Sequence, residues 1–96
     1  MSAKLAEAER AVEEAQQTGA ALRAPLEYRT AQDKLEAAQA AMAKGNRERA
    51  IRSAEQAAMD AEYARARAAN QRVTTMADEM GQHIKTLRQD LERLPQ

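Results

Sequence analysis

The chain's one histidine, His83, stands one helical turn after Glu79, and this pair comes nearest to a site that could do chemistry. A carboxylate and an imidazole four residues apart share a helix face and could share an ion. A zinc centre, however, takes three or four protein ligands, and there is no cysteine and no second histidine to supply them. The same shortage works against covalent catalysis, which needs an activated nucleophile beside an oriented base. Gly19, Gly45 and Gly81 are isolated, so no glycine-rich phosphate loop is formed. His83 therefore reads as a solvated surface side chain. The expectation is a non-enzyme with no catalytic residues, no metal and no cofactor.

Six arginines between residues 47 and 72 are the other group with chemical potential: Arg47, Arg49, Arg52, Arg65, Arg67 and Arg72. A nucleic-acid surface would need a basic excess and, usually, stacking aromatics. Here Glu48, Glu55, Asp60 and Glu62 interleave the arginines, 15 acidic residues balance 15 basic ones overall, and the only aromatics are two tyrosines. Pairs such as Glu48/Arg52 and Glu62/Arg65 have ordinary helix-supporting spacing. A mixed-charge solvated face follows, with no nucleic-acid partner. No apolar run approaches the roughly 20 residues that cross a bilayer, so direct membrane insertion is not expected. Met1-Ser2-Ala3-Lys4 lacks the apolar region of a signal peptide, and an exported protein would carry its signal ahead of this segment.

The elements that hold these residues are helices. Of the 96 residues 24 are Ala, while Leu, Ile, Val and Phe together number only 11. Alanine has the highest helix propensity and loses no side-chain entropy on ordering. The fold class is all-α, in one small domain. Its core is thin, because an Ala methyl contributes far less than the roughly 1.5–3 kcal/mol of a buried Leu or Val. A domain this size with so few large apolar groups is marginal alone, so help is expected from self-association or a protein partner.

Periodicity divides the chain into three stretches. Leu5, Ala8, Val12 and Ala15 recur at three- and four-residue steps and predict a helix over 3–18. Gly19 stops it, and Gly19 to Ala24 reads as a connection. Pro25 suits the first turn of a second helix, over 25–44, with a stripe of Tyr28, Ala31, Leu35, Ala38 and Met42. Gly45 supplies a left-handed end and Asn46 caps the third helix, so the second and third helices form an antiparallel hairpin. The third begins at Arg47, and its first half presents Ala50, Ala54, Ala57, Ala61, Ala64 and Ala68 as a close-packing seam with coiled-coil-like spacing.

Beyond that seam the character changes. Val73, Met76, Met80, Ile84, Leu87, Leu91 and Leu94 form the largest concentration of big apolar groups, at near coiled-coil spacing. The reading is residues 1–72 as an alanine-seamed hairpin or bundle and 73–96 as a C-terminal coiled-coil extension. Those seven residues are the candidate interaction site, with self-association as the expected use. Two arrangements are open. An unbroken helix would project, whereas a break near Thr74-Thr75 or Gly81 would fold the tail back as a further helix. Projection is favoured, because one glycine costs only about 1 kcal/mol inside a helix.

Particular residues also carry a resemblance. Gly19-Ala20, Ala24-Pro25-Leu26-Glu27, Ala31, Leu35, Ala38, Ala41, Gly45-Asn46, Ala50, Ala54-Glu55-Gln56-Ala57 and Asp60-Ala61 resemble, over residues 5–70, an alanine-rich domain of unknown function. That domain is found in Gram-negative envelope lipoproteins and before peptidoglycan-binding domains of the outer membrane protein A type. Arg23 stands where the family usually has Tyr, and Asn46-Arg47 replaces Asp-Tyr. The stretch from Leu35 to Ala58 is also similar to one tetratricopeptide hairpin. The envelope resemblance implies a periplasmic, outer-membrane-associated spacer or interaction module without catalytic residues. The alternative is a cytoplasmic coiled-coil adaptor or regulator that acts by oligomerising.

Overall fold

The computed structural model describes residues 3–95; Met1, Ser2 and Gln96, which belong to the terminal segments discussed above, lie outside them. Four helices follow in order: α1 (Ala3–Gln17), α2 (Ala20–Arg23), α3 (Pro25–Ala43) and α4 (Arg47–Glu92). No strand occurs among the described residues. The all-α class and the long C-terminal helix are as expected. The molecule is a rod, 79 × 19 × 13 Å, because α4 alone has 46 residues and spans about 69 Å at 1.5 Å per residue.

The connection before Pro25 is more ordered than its sequence suggests. Gly19 takes φ 85°, and the four residues Ala20–Arg23 then form α2, with Ala20 and Ala24 both buried. Thr18 closes α1 rather than extending it, its hydroxyl donating to the Glu14 carbonyl at 2.8 Å. Pro25 occupies the first turn of α3, where its missing N–H has no role.

The α3–α4 turn has the expected chemistry. Gly45 lies at φ 80°, its N–H donates to Met42 O at 3.1 Å, and the Asn46 N–H donates to Ala41 O at 2.9 Å. Those two bonds satisfy carbonyls that the end of a helix leaves open. The Asn46 side chain then accepts from the Arg49 N–H and starts α4.

α3 runs antiparallel to α4 and α1 runs parallel to it. Leu5, Ala8 and Ala38 meet Ala54 and Ala57 at one end, while Val12, Ala15, Tyr28 and Ala31 meet Ala61, Ala64 and Ala68 at the other. Ala20 and Ala24 close the second cluster. Of the 16 buried residues 13 are alanine, so this core is held by close approach of helix axes rather than by bulk. All six alanines of the α4 seam are buried, as are the four predicted positions of α1. In α3, Tyr28, Ala31 and Ala38 are buried, but Leu35 and Met42 are only partly so, and Ala41 joins the core instead. A seam this narrow admits a methyl and leaves longer side chains at its edge. Tyr28 keeps its hydroxyl satisfied by accepting from Gln32 Nε2 at 3.3 Å.

Candidate functional site

α4 continues without interruption through Thr74, Thr75 and Gly81. Its last buried residue is Ala68, and every described residue from Ala69 onward is exposed. The tail therefore projects. A Cβ added at Gly81 would meet nothing within 4 Å, so that glycine marks neither a break nor a close contact.

The seven predicted residues all lie on this projecting segment. Val73, Met80 and Leu91 are 65%, 65% and 67% exposed, and even Ile84, the most covered, is 48% exposed. A helix turns about 100° per residue, which places the six residues within α4, Val73 to Leu91, in a sector of about 80°, and Leu94 follows just past the helix end at Glu92. They form one continuous stripe, about 32 Å long from Val73 to Leu94 at 1.5 Å per residue. Isolated exposed leucines are ordinary, whereas a contiguous row of large apolar groups is not, and that makes this stripe the candidate site.

The other candidates stay dispersed. Glu79 and His83 are both exposed on α4, and no group of three His, Cys, Asp or Glu able to hold a metal occurs among the described residues. The arginines divide. Arg65 leaves its own helix to pair with Glu14 of α1 at 3.3 Å, and Arg67 pairs with Glu27 of α3 at 3.2 Å. The spacing Glu62/Arg65 does not foretell the first of these, because the partner is 51 residues away. These two pairs lie on opposite flanks of α4, one toward α1 and one toward α3. Glu27 is partly buried, and its second oxygen, Oε2, has no hydrogen-bond partner.

Leu22 and Leu26 are 88% and 76% exposed; periodicity does not single out Leu22 because α2 is too short to show any, nor Leu26 because it lies off the buried stripe of α3. A groove between α1 and α4, lined by Lys4, Glu7, Ala58, Met59 and Glu62 among others, encloses only about 200 Å³. That is below the usual size of a small-molecule site. No described helix is long and apolar enough to cross a membrane.

A protein family described as Domain of unknown function (DUF4398) matches residues 3–80. The chain belongs to this family. The DUF4398 match takes in α1, α2, α3 and α4 as far as Met80, so it extends past the motif-bearing residues 5–70 at both ends. Val73, Met76 and Met80 lie within the DUF4398 span, whereas Ile84, Leu87, Leu91 and Leu94 lie beyond it. No curated protein and no solved structure matches the chain.

Proposed function

We propose that this DUF4398 chain is a non-catalytic helical spacer and interaction module that self-associates through the projecting half of α4. The observation that carries the reading is the row from Val73 to Leu94, all large, all about half or more exposed, on a helix with no tertiary support beyond Ala68. Most helical stability in proteins comes from packing of an amphipathic face, and this segment has no such packing within the chain. Covering one such side chain fully contributes roughly 1.5–3 kcal/mol, so a partner along the stripe supplies what the alanine core lacks. Sedimentation equilibrium of the full chain tests this. A dimer is expected at micromolar concentration, and the double variant Met80→Glu/Leu87→Glu is expected to be monomeric. A full chain that remains monomeric at high micromolar concentration overturns the reading.

The proposed place of action is the bacterial cell envelope, outer-membrane associated. Support for this comes from the resemblance carried by Gly19-Ala20, Ala24-Pro25-Leu26-Glu27 and Ala54-Glu55-Gln56-Ala57. Fractionation of the source cells tests it. Recovery with the outer membrane or periplasm is expected, and recovery only in the cytosol would favour the adaptor reading.

A further inference from the structure

The apolar stripe of α4 is out of phase with the alanine seam of the same helix. At about 100° per residue, the mean direction of Val73 to Leu94 lies about 120° around the axis from that of Ala50 to Ala68. Arg65, which reaches α1, and Arg67, which reaches α3, identify the two flanks, and the stripe lies on the Arg65 side. A helix laid along it would therefore not point at the hairpin, which occupies the seam side.

From this we infer that two copies join side by side as a parallel, in-register, two-stranded coiled coil, with both hairpins at one end and turned outward. The inference rests on the self-association proposed above and adds its direction. Residue type fits two strands, edge charge disfavours the antiparallel register, and the phase leaves room for a parallel partner. Val73, Met80, Ile84 and Leu91 take the a positions and Met76, Leu87 and Leu94 the d positions, with a four-residue step from Met80 to Ile84 that locally unwinds the supercoil. Both β-branched residues thus fall at a, and two of the three d residues are Leu, the combination that within parallel coils selects two strands.

The second is charge along the edges of the stripe. Arg72, Glu79, His83 and Asp90 lie on one edge, and Arg88 lies on the other with Ala77. In an antiparallel pair like edges meet, which brings Glu79 beside Asp90 of the second copy, twice. In a parallel pair each residue of the first edge meets the opposite edge about five residues further on, which brings Arg72 beside Ala77 of the second copy, His83 beside Arg88 and Asp90 beside Pro95, so no two carboxylates meet. Like charges across a seam are destabilising, so the antiparallel register is the disfavoured one.

The third is the phase itself. Were the stripe in line with Ala50 to Ala68, a parallel partner would collide with α1 and α3; rotated by about 120°, it clears them. The seam continues backward over the exposed Ala69 and Ala66 and stops at Glu62, which would face its own copy. The contact thus runs from Ala66 to Leu94, about 42 Å at 1.5 Å per residue.

The chain has no cysteine, so introduced ones report direction cleanly. Met76→Cys, oxidised mildly in the full chain, is expected to convert to a covalent dimer, while Thr75→Cys on the outer face gives only a trace. In the antiparallel register Met76 would instead lie opposite Leu91. Met76→Cys and Leu91→Cys, carrying tags of different mass and mixed as reduced dimers before oxidation, are therefore expected to yield predominantly same-variant cross-links. Predominantly mixed cross-links, or a sedimenting dimer that cross-links in neither arm, overturn the parallel arrangement and leave self-association standing. A chain that is monomeric by sedimentation removes both.

Discussion

The two halves of α4 share one unbroken backbone and follow opposite rules for side chains. From Ala50 to Ala68 the inward residue is always alanine and always buried. From Val73 to Leu94 the aligned residue is always large and never buried. Alanine serves where two other helices must come close, since a longer side chain would hold the axes apart. Large residues follow where no element of the chain remains to cover them, and where a covering surface would bring most. Amphipathicity is therefore present in both halves with different meanings. In the first it records contacts already made within the chain, and in the second contacts available to another.

The sharpest way to break this contrast is to exchange the rule. Ala57→Leu or Ala61→Leu, at positions of zero exposure, is expected to destabilise the hairpin by about 1–3 kcal/mol through overpacking. Ala69→Leu, at an exposed position one residue beyond the last seam alanine, is expected to change monomer stability by no more than about 0.5 kcal/mol. Thermal or urea denaturation monitored by circular dichroism measures both. Equal effects at 61 and 69 would erase the distinction between the halves.

Glycines offer a second contrast of opposite sign. Gly45→Ala places a Cβ at φ 80°, where no neighbour crowds it but the left-handed backbone itself costs an L-residue about 1–2 kcal/mol. Gly81→Ala sits in a regular helix with open space around it and is expected to stabilise α4 by about 0.5–1 kcal/mol. Denaturant midpoints of the two variants test this pair; stabilisation by both would mean that the turn at 45 is not left-handed.

Asn46→Ala removes the cap that accepts from the Arg49 N–H and is expected to cost about 1 kcal/mol. Hydrogen exchange of the first turn of α4 should rise with it. The smallest effect belongs to the flanking ion pair. Arg65→Gln is expected to cost at most about 1 kcal/mol, since both Arg65 and Glu14 are about half exposed, and added salt should shrink even that.

How much of this was legible in the sequence differs by element. The α4 seam, the α1 stripe, the left-handed Gly45 and the Asn46 cap each follow from local pattern and turn chemistry, and each is observed. α2 looks like connection in the sequence because four residues carry no periodicity, and the burial of Ala20 and Ala24 depends on where α4 lies. In α3 the large residues Leu35 and Met42 were expected in the core, but the tight spacing admits Ala41 and leaves those two partly exposed. The pairs Arg65–Glu14 and Arg67–Glu27 join residues far apart in the chain, which spacing within one helix does not show. The candidate stripe was legible residue by residue. Its projection was only favoured by the sequence, because Gly81 weighs too little against helix propensity to decide between a straight and a broken helix. Its rotation relative to the seam is implicit in the five-residue step from Ala68 to Val73, and acquires meaning only once α1 and α3 are placed around α4.

Amide hydrogen exchange at two protein concentrations tests most directly the claim that one half of α4 is complete within the chain and the other completed by a second copy. Within α4, the amides of residues 50–68 are expected to exchange at rates independent of concentration. Those of residues 73–92 are expected to exchange fast when the protein is dilute and to become protected as it is concentrated, since only association supports that segment. Protection of 73–92 that is already high in dilute solution and unchanged on concentration would contradict the account.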